Sequence, residues 1–95
     1  MAVSMAMTPV FLNIDEHHVA SALHEAGEKL DGAQGETILD FSSVHRIDSI
    51  ALRALEEFAG LADQKGAEVV LRGVNIDVYK VLKLVKLTRR FSFVS

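Results

Sequence analysis

The chain has 95 residues, enough for one domain with one hydrophobic core and too few for two. Charged residues make up 24% of the chain and hydrophobic residues 49%, which indicates a globular rather than a disordered protein. The net charge of −3 gives no electrostatic basis for binding nucleic acid, and the absence of cysteine excludes disulfides, thiolate metal sites and a cysteine nucleophile.

The beginning of the chain carries no pattern of membrane targeting. Residues 1–8 are small and apolar but lack a basic region before an apolar core, and no apolar run approaches membrane-spanning length. We therefore expect a cytoplasmic protein with no membrane insertion. Residues 1–8 are interpreted as a frayed end or an abbreviated first strand, and a strand is predicted from Pro9. An uncovered edge strand at this end predicts a weak homodimer.

A first helix is predicted from Asp15 to Leu30. Its apolar residues recur on one face: Val19, Leu23, Ala26 and Leu30. Asn13 or Asp15 can cap its start, and Glu16 complements the helix dipole.

Three of the four histidines fall in this helix. His17, His18 and His24 invite comparison with a zinc site, but such a site needs ligands that converge from more than one element. Nothing else in the sequence completes the set, so they are interpreted as solvated surface residues. His45 is interpreted as a loop residue, and no metal or cofactor is expected.

The stretch from Thr37 to Gly66 has the pattern of a strand, a sharp turn and a helix. The mostly apolar run Thr37 to Phe41 predicts a strand that is covered on both faces. Apolar residues then fall at helical spacing, at Leu52, Leu55, Phe58, Ala59 and Ala62. Asp48 and Ser49 are both preferred N-cap residues, and Gly66 suits the left-handed end of the helix.

The remaining chain predicts a strand, a helix and a final strand. The strand covers Glu68 to Arg72, and the helix covers Ile76 to Leu87. The helix has one apolar side formed by Val78, Leu82 and Val85, with Tyr79 beside them. Phe91-Ser92-Phe93 alternates with period two. This order of elements predicts an α/β domain with a largely parallel sheet and right-handed crossovers.

The segment ETILDFSSVHRIDSIALRALEEFAGLADQKGAEVVLRGVN resembles the core of the STAS domain family, which includes the bacterial anti-sigma factor antagonists. The likeness has four parts: the strand ending in Asp40, the Asp48-Ser49-x-small turn, the connection from Lys65 to Glu68, and the strand Val69-Val70-Leu71. It extends over most of the chain from about Asn13. It implies one STAS-like α/β domain over residues 1–95, with a mostly parallel central sheet of four to five strands and three to four helices.

The resemblance also implies a function for Ser49. In anti-sigma factor antagonists the serine at this position is phosphorylated by a partner serine kinase of the GHKL type, which is also the anti-sigma factor. Carried over by position, it implies a phosphorylation site at Ser49. The expected partner-binding residues are Arg46, Asp48, Ser49, Ile50, Ala51, Arg53, Glu56 and Gly60. A phosphate at a helix start is tolerated by the fold and adds about −1.5 to −2 charges to the surface. The alternative from the residues alone is that Ser49 only caps the helix.

Two departures from the family pattern concern the partner. The glycine expected two residues after the serine is Ala51, and a glycine that relatives carry near the end of the last helix is Lys86. An alternative function is therefore a constitutive accessory subunit of a phospholipid-trafficking ABC transporter, bound to its ATPase.

An enzyme is not expected. The sequence contains no GxSxG, glycine-rich phosphate loop or GxGxxG motif. Asp40 is predicted to bind turn amides near the site.

Overall fold

A computed structural model of the chain describes residues 10–30 and 36–94. These contain four strands and three α-helices: β1 (Val10–Asn13), α1 (Val19–Lys29), β2 (Glu36–Asp40), α2 (Ser49–Lys65), β3 (Glu68–Arg72), α3 (Ile76–Leu84) and β4 (Ser92–Val94). A 3₁₀ turn, Glu16–His18, precedes α1. The strand or frayed end predicted for residues 1–8 lies outside the described residues.

All four strands are parallel and lie in chain order, β1-β2-β3-β4. This arrangement confirms the predicted α/β fold with a parallel central sheet of four strands. Each connection leads to the next strand in the same direction across the sheet. Because such crossovers are right-handed, the three connecting helices lie on the same face of the sheet.

The hydrophobic core lies between that face and the helices. Leu39 and Leu71 of the sheet pack in one cluster with buried residues of all three helices, among them Leu23, Leu55 and Leu82. Val19, Ala26 and Leu30 are also buried, which confirms the predicted inner face of the first helix.

The other face of the sheet is more exposed. Phe11 is 49% exposed and Val94 50%, and Ile38 between them is half-buried. The prediction that the strand from Thr37 to Phe41 is covered on both faces holds only in part for the described residues, because Ile38 is half-buried while its neighbour Val70 on β3 is 6% exposed. The reason is topological, because a sheet without a reversal of strand order receives no helix on its second face.

The last helix ends earlier than its apolar pattern predicts. α3 stops at Leu84, and Val85 is 40% exposed rather than on the inner side. Lys86 adopts a positive φ of 64°, and the N–H of Leu87 donates to the carbonyl of Leu82 at 2.9 Å. This turn brings Leu87, which is only 3% exposed, onto the core.

Candidate functional site

Ser49 is the first residue of α2, and its side chain is exposed. The helix is capped by its neighbour, because Asp48 Oδ1 accepts a hydrogen bond from the backbone N–H of Ala51 at 2.8 Å. The sequence left the cap open between the two residues, and the structure assigns it to Asp48. Within the described residues the Ser49 hydroxyl forms no hydrogen bond. It is therefore a solvent-facing group at a helix start rather than a structural cap.

Four of the predicted partner-binding residues form one outward-facing stripe on α2. Because a helix advances about 100° per residue, positions i, i+4, i+7 and i+11 lie almost above one another. Ser49, Arg53, Glu56 and Gly60 have this spacing; the first three are exposed and Gly60 is half-buried. Ile50, one step around the helix, is 69% exposed. We call the set Ser49, Ile50, Arg53, Glu56 and Gly60 the α2 stripe.

Ala51 lies on the opposite side of α2. It is only 5% exposed and belongs to the hydrophobic core with Leu55 and Phe58. It also lines an open depression between the 3₁₀ turn and the start of α2, so its predicted contact with a partner stays a prediction. A small residue at this position serves the packing of the helix start against the core.

Glu16 fixes the loop that leads to Ser49. Its Oε2 accepts hydrogen bonds from the backbone N–H groups of His45 and Arg46, at 2.9 and 3.2 Å. The imidazole Nδ1 of His45 lies 3.7 Å from Oε1. The hydrogen bond from the His45 amide is the main reason that the pKa of Glu16 is lowered.

The sequence did not indicate this role. Glu16 was expected to complement the dipole of the first helix, and its loop partners lie 29 and 30 residues further along the chain. No local pattern connects residues so far apart, so only the fold could bring them together.

The start of the same loop is held by Asp40. Its Oδ1 accepts the N–H of Ser42 at 2.9 Å, which confirms the predicted bond to a turn amide and lowers the pKa of Asp40. The Ser43 hydroxyl donates to the carbonyl of Ile14 at 3.0 Å, and Val44 is fully buried. The loop that leads to Ser49 is therefore tied to the rest of the domain along its length.

Two open depressions lie beside the α2 stripe, both on the side of α2 that faces α1 and the 3₁₀ turn. One, of about 660 Å³, lies between the 3₁₀ turn and the start of α2, and its lining includes Arg46 and Asp48. The other, of about 520 Å³, lies between α1 and α2 above Phe58. Ala20 and Ile50 line both, so the two depressions form one continuous strip that ends beside Ser49. The strip combines apolar floor and charged rim, as protein-binding surfaces do.

The histidines are exposed, as predicted. His18, His24 and His45 have side chains that are 66–82% exposed. Over residues 10–30 and 36–94, no group of three or more potential metal ligands occurs. In the same residues no helix is both long and apolar enough to span a membrane.

Comparison with known proteins agrees with the fold. The family model of the STAS domain matches residues 8–95. Over 57 residues the chain is 39% identical to the intermembrane phospholipid transport system binding protein MlaB of Escherichia coli K12, and equally to that of Shigella flexneri. These matches cover 60% of the chain and 59% of each relative, so the chain spans less than two thirds of their length.

Solved structures with the same fold include two bacterial proteins. One, from Thermotoga maritima, is assigned as an anti-sigma factor antagonist; its TM-score is 0.71 at 20% identity, covering 90% of this chain and 77% of that one. The other is a sulfate transporter family protein from Wolinella succinogenes, with a TM-score of 0.71 at 22% identity, covering 98% of this chain and 80% of that one. At these identities the likeness shows the fold alone.

Proposed function

Because the chain belongs to the STAS domain family, we propose that it is a non-catalytic module that binds a protein partner through the α2 stripe. The observation that carries the proposal is the stripe itself, in which exposed polar and apolar residues stand on one helix face beside an open strip. The loop before it is fixed by side-chain hydrogen bonds, so the surface is pre-organised for binding.

We further propose that the partner is a subunit of a phospholipid transport system, most directly the ATPase of an ABC-type transporter. The support is the 39% identity to the phospholipid transport system binding protein MlaB. In this role the contact is constitutive, and Ser49 is a contact residue.

A second candidate function is a phosphorylation switch of the anti-sigma factor antagonist type. One specific observation favours it: the Ser49 hydroxyl is exposed and has no structural hydrogen bond in the described part of the chain. A phosphate there would lie at the positive end of α2 and leave the fold intact. It would also add negative charge next to Asp48, on the surface that a partner must cover. Phosphorylation would thus release the partner without unfolding the domain.

The test is co-purification with the ATPase subunit of the transporter from the same organism. Wild-type protein is expected to co-elute with it. Arg53→Glu should lower the affinity at least about 10-fold, because it reverses a charge at the centre of the stripe. Ser92→Asp, on the exposed edge strand β4, adds a negative charge away from the stripe and should bind as wild type. Absence of a complex, or equal loss in both variants, would contradict the proposal.

Ser49→Asp and Ser49→Ala distinguish the two candidates. A constitutive subunit should co-purify with the ATPase in both variants, with at most a modest loss of affinity from the added charge of Ser49→Asp. For a switch, Ser49→Asp should weaken binding to a serine kinase and leave the thermal midpoint nearly unchanged, since Ser49 holds no structural bond. Incubation with that kinase and ATP should then add one phosphate at Ser49 by intact mass, and no phosphate in Ser49→Ala.

A further inference from the structure

The outward face of α3 is unusual for a solvated helix. Ile76, Lys80, Lys83 and Leu84 lie on the side opposite the buried Val78 and Leu82, as helical spacing requires. Ile76 is 65% exposed. Leu84 is 82% exposed, more than any other large hydrophobic residue that the structure describes. The face that should carry polar residues alone therefore interleaves two large aliphatic side chains with two lysines.

The charge of the surrounding segment is equally one-sided. Residues 76–90 contain five basic residues, Lys80, Lys83, Lys86, Arg89 and Arg90, and one acidic residue, Asp77. Their net charge is +4, although the whole chain carries −3. All five basic side chains are exposed, and only Arg90 forms an ion pair within the described residues, with Asp63. Apart from that of Arg90, the basic side chains of this segment have no ion-pair partner in the part of the chain that the structure describes.

We propose that the outward face of α3 and the turn after it form a contact surface for a membrane rich in anionic lipid. Lysines and arginines beside the face would meet lipid phosphates and carboxylates, and Leu84 and Ile76 would rest among the headgroups at the acyl boundary. The aliphatic side chains project from the convex side of a helix. A planar, deformable lipid surface accommodates such projections, whereas a rigid protein would need matching cavities. The contact is peripheral and spans nothing.

This surface shares no residue with the α2 stripe, although the two lie on helices of the same layer and Arg90 pairs with Asp63 of α2. Membrane contact is therefore proposed as an additional property of the domain, tested with vesicles in the absence of the partner. Membrane contact would bring the domain to the surface where a phospholipid transport system works. The proposal of membrane contact holds or fails independently of the partner proposed above.

The test is flotation with vesicles of phosphatidylcholine alone or with about 30% phosphatidylserine. Wild-type protein should float only with the anionic vesicles and be released by high salt, because exposed charges are screened. The double variant Lys80→Gln/Lys83→Gln should bind about 25-fold more weakly, since each juxtamembrane cation contributes roughly a factor of five. Leu84→Ser should also weaken binding while leaving the charge unchanged.

The matched control is Lys29→Gln/Arg72→Gln, which removes two exposed positive charges from α1 and β3. It should float as wild type does. Equal weakening in the control, or binding to neutral vesicles, would overturn the assignment of this face. Failure to float with anionic vesicles would overturn the membrane proposal. If Lys80→Gln/Lys83→Gln then weakened binding to the ATPase subunit, the face would belong to an acidic protein surface instead. Far-ultraviolet circular dichroism establishes that each variant is folded.

Discussion

The loop that leads into α2 and the segment that leaves α3 are held by different physical means. Before α2, the carboxylates of Glu16, Asp40 and Asp48 accept four backbone N–H groups, and no residue of that loop has a positive φ. After α3, backbone groups bond only to each other, Lys86 takes a φ of 64°, and the apolar Leu87 holds the turn to the core.

Because of this difference, the stability of the two segments should respond differently to pH and to mutation. Charged acceptors stabilise the Ser49 loop, so its stability depends on pH. Apolar burial stabilises the segment after α3, so it should be insensitive to pH and sensitive to side-chain size. The end of α2 offers a reference for that segment. Gly66 there makes the same pattern of backbone bonds, from residue 67 to 62 and from 66 to 63, with a φ of 69°.

The largest expected change in stability comes from truncating Leu87, the apolar residue that holds the turn after α3 to the core. Leu87→Ala should lower the free energy of unfolding by about 2–5 kcal/mol, since Leu87 is nearly fully buried. Chemical denaturation measures the change. Leu84→Ala, three residues earlier and largely exposed, serves as the control and should change stability by less than about 0.5 kcal/mol. Similar losses in the two variants would show that Leu87 does not hold this turn.

A smaller change in the free energy of unfolding, of opposite sign, is expected when Lys86 is replaced. Lys86→Gly should raise the free energy of unfolding by about 1 kcal/mol, because a left-handed backbone strains every residue with a Cβ. The matched control is Lys83→Gly inside α3, which should lower stability by about 1 kcal/mol. Thermal denaturation of both variants checks the pair. Destabilisation by Lys86→Gly would mean that the lysine side chain contributes more than its backbone conformation costs.

The smallest effect concerns the acid limb of the pH profile. The pKa of Glu16 is lowered in the folded protein, so its contribution is complete at neutral pH and is lost as pH falls through the folded value, below 4.5. Glu16→Gln should therefore flatten the loss of stability on acidification. Part of the loss of stability on acidification should remain, because the pKa values of Asp15 and Asp40 are also lowered. Thermal midpoints measured from neutral to acidic pH give the slope. Glu56→Gln, on the exposed α2 stripe, should keep the wild-type slope.

Local sequence patterns predicted much of the fold and part of the site. The strand Glu68 to Arg72 and the Gly66 helix end follow directly from β-branched residues and from glycine. The position of Ser49 at a helix start was also predictable, since Asp48 and Ser49 precede a regular apolar stripe. The end of α3 was not predictable in this way, because Val85 fits the helical spacing of apolar residues although the helix ends at Leu84.

By itself, the sequence determined the order of elements, their inward faces and the placement of a serine at the mouth of α2, because propensity and periodicity act over a few residues. Only the tertiary structure decided which residue caps that helix and that Glu16 secures the loop from across the chain. It also decided that Ala51 is buried in the core and that no helix of residues 10–30 and 36–94 lies on the second face of the sheet. These features depend on contacts between residues far apart in the chain or on the direction in which strands are added, and no local pattern encodes either.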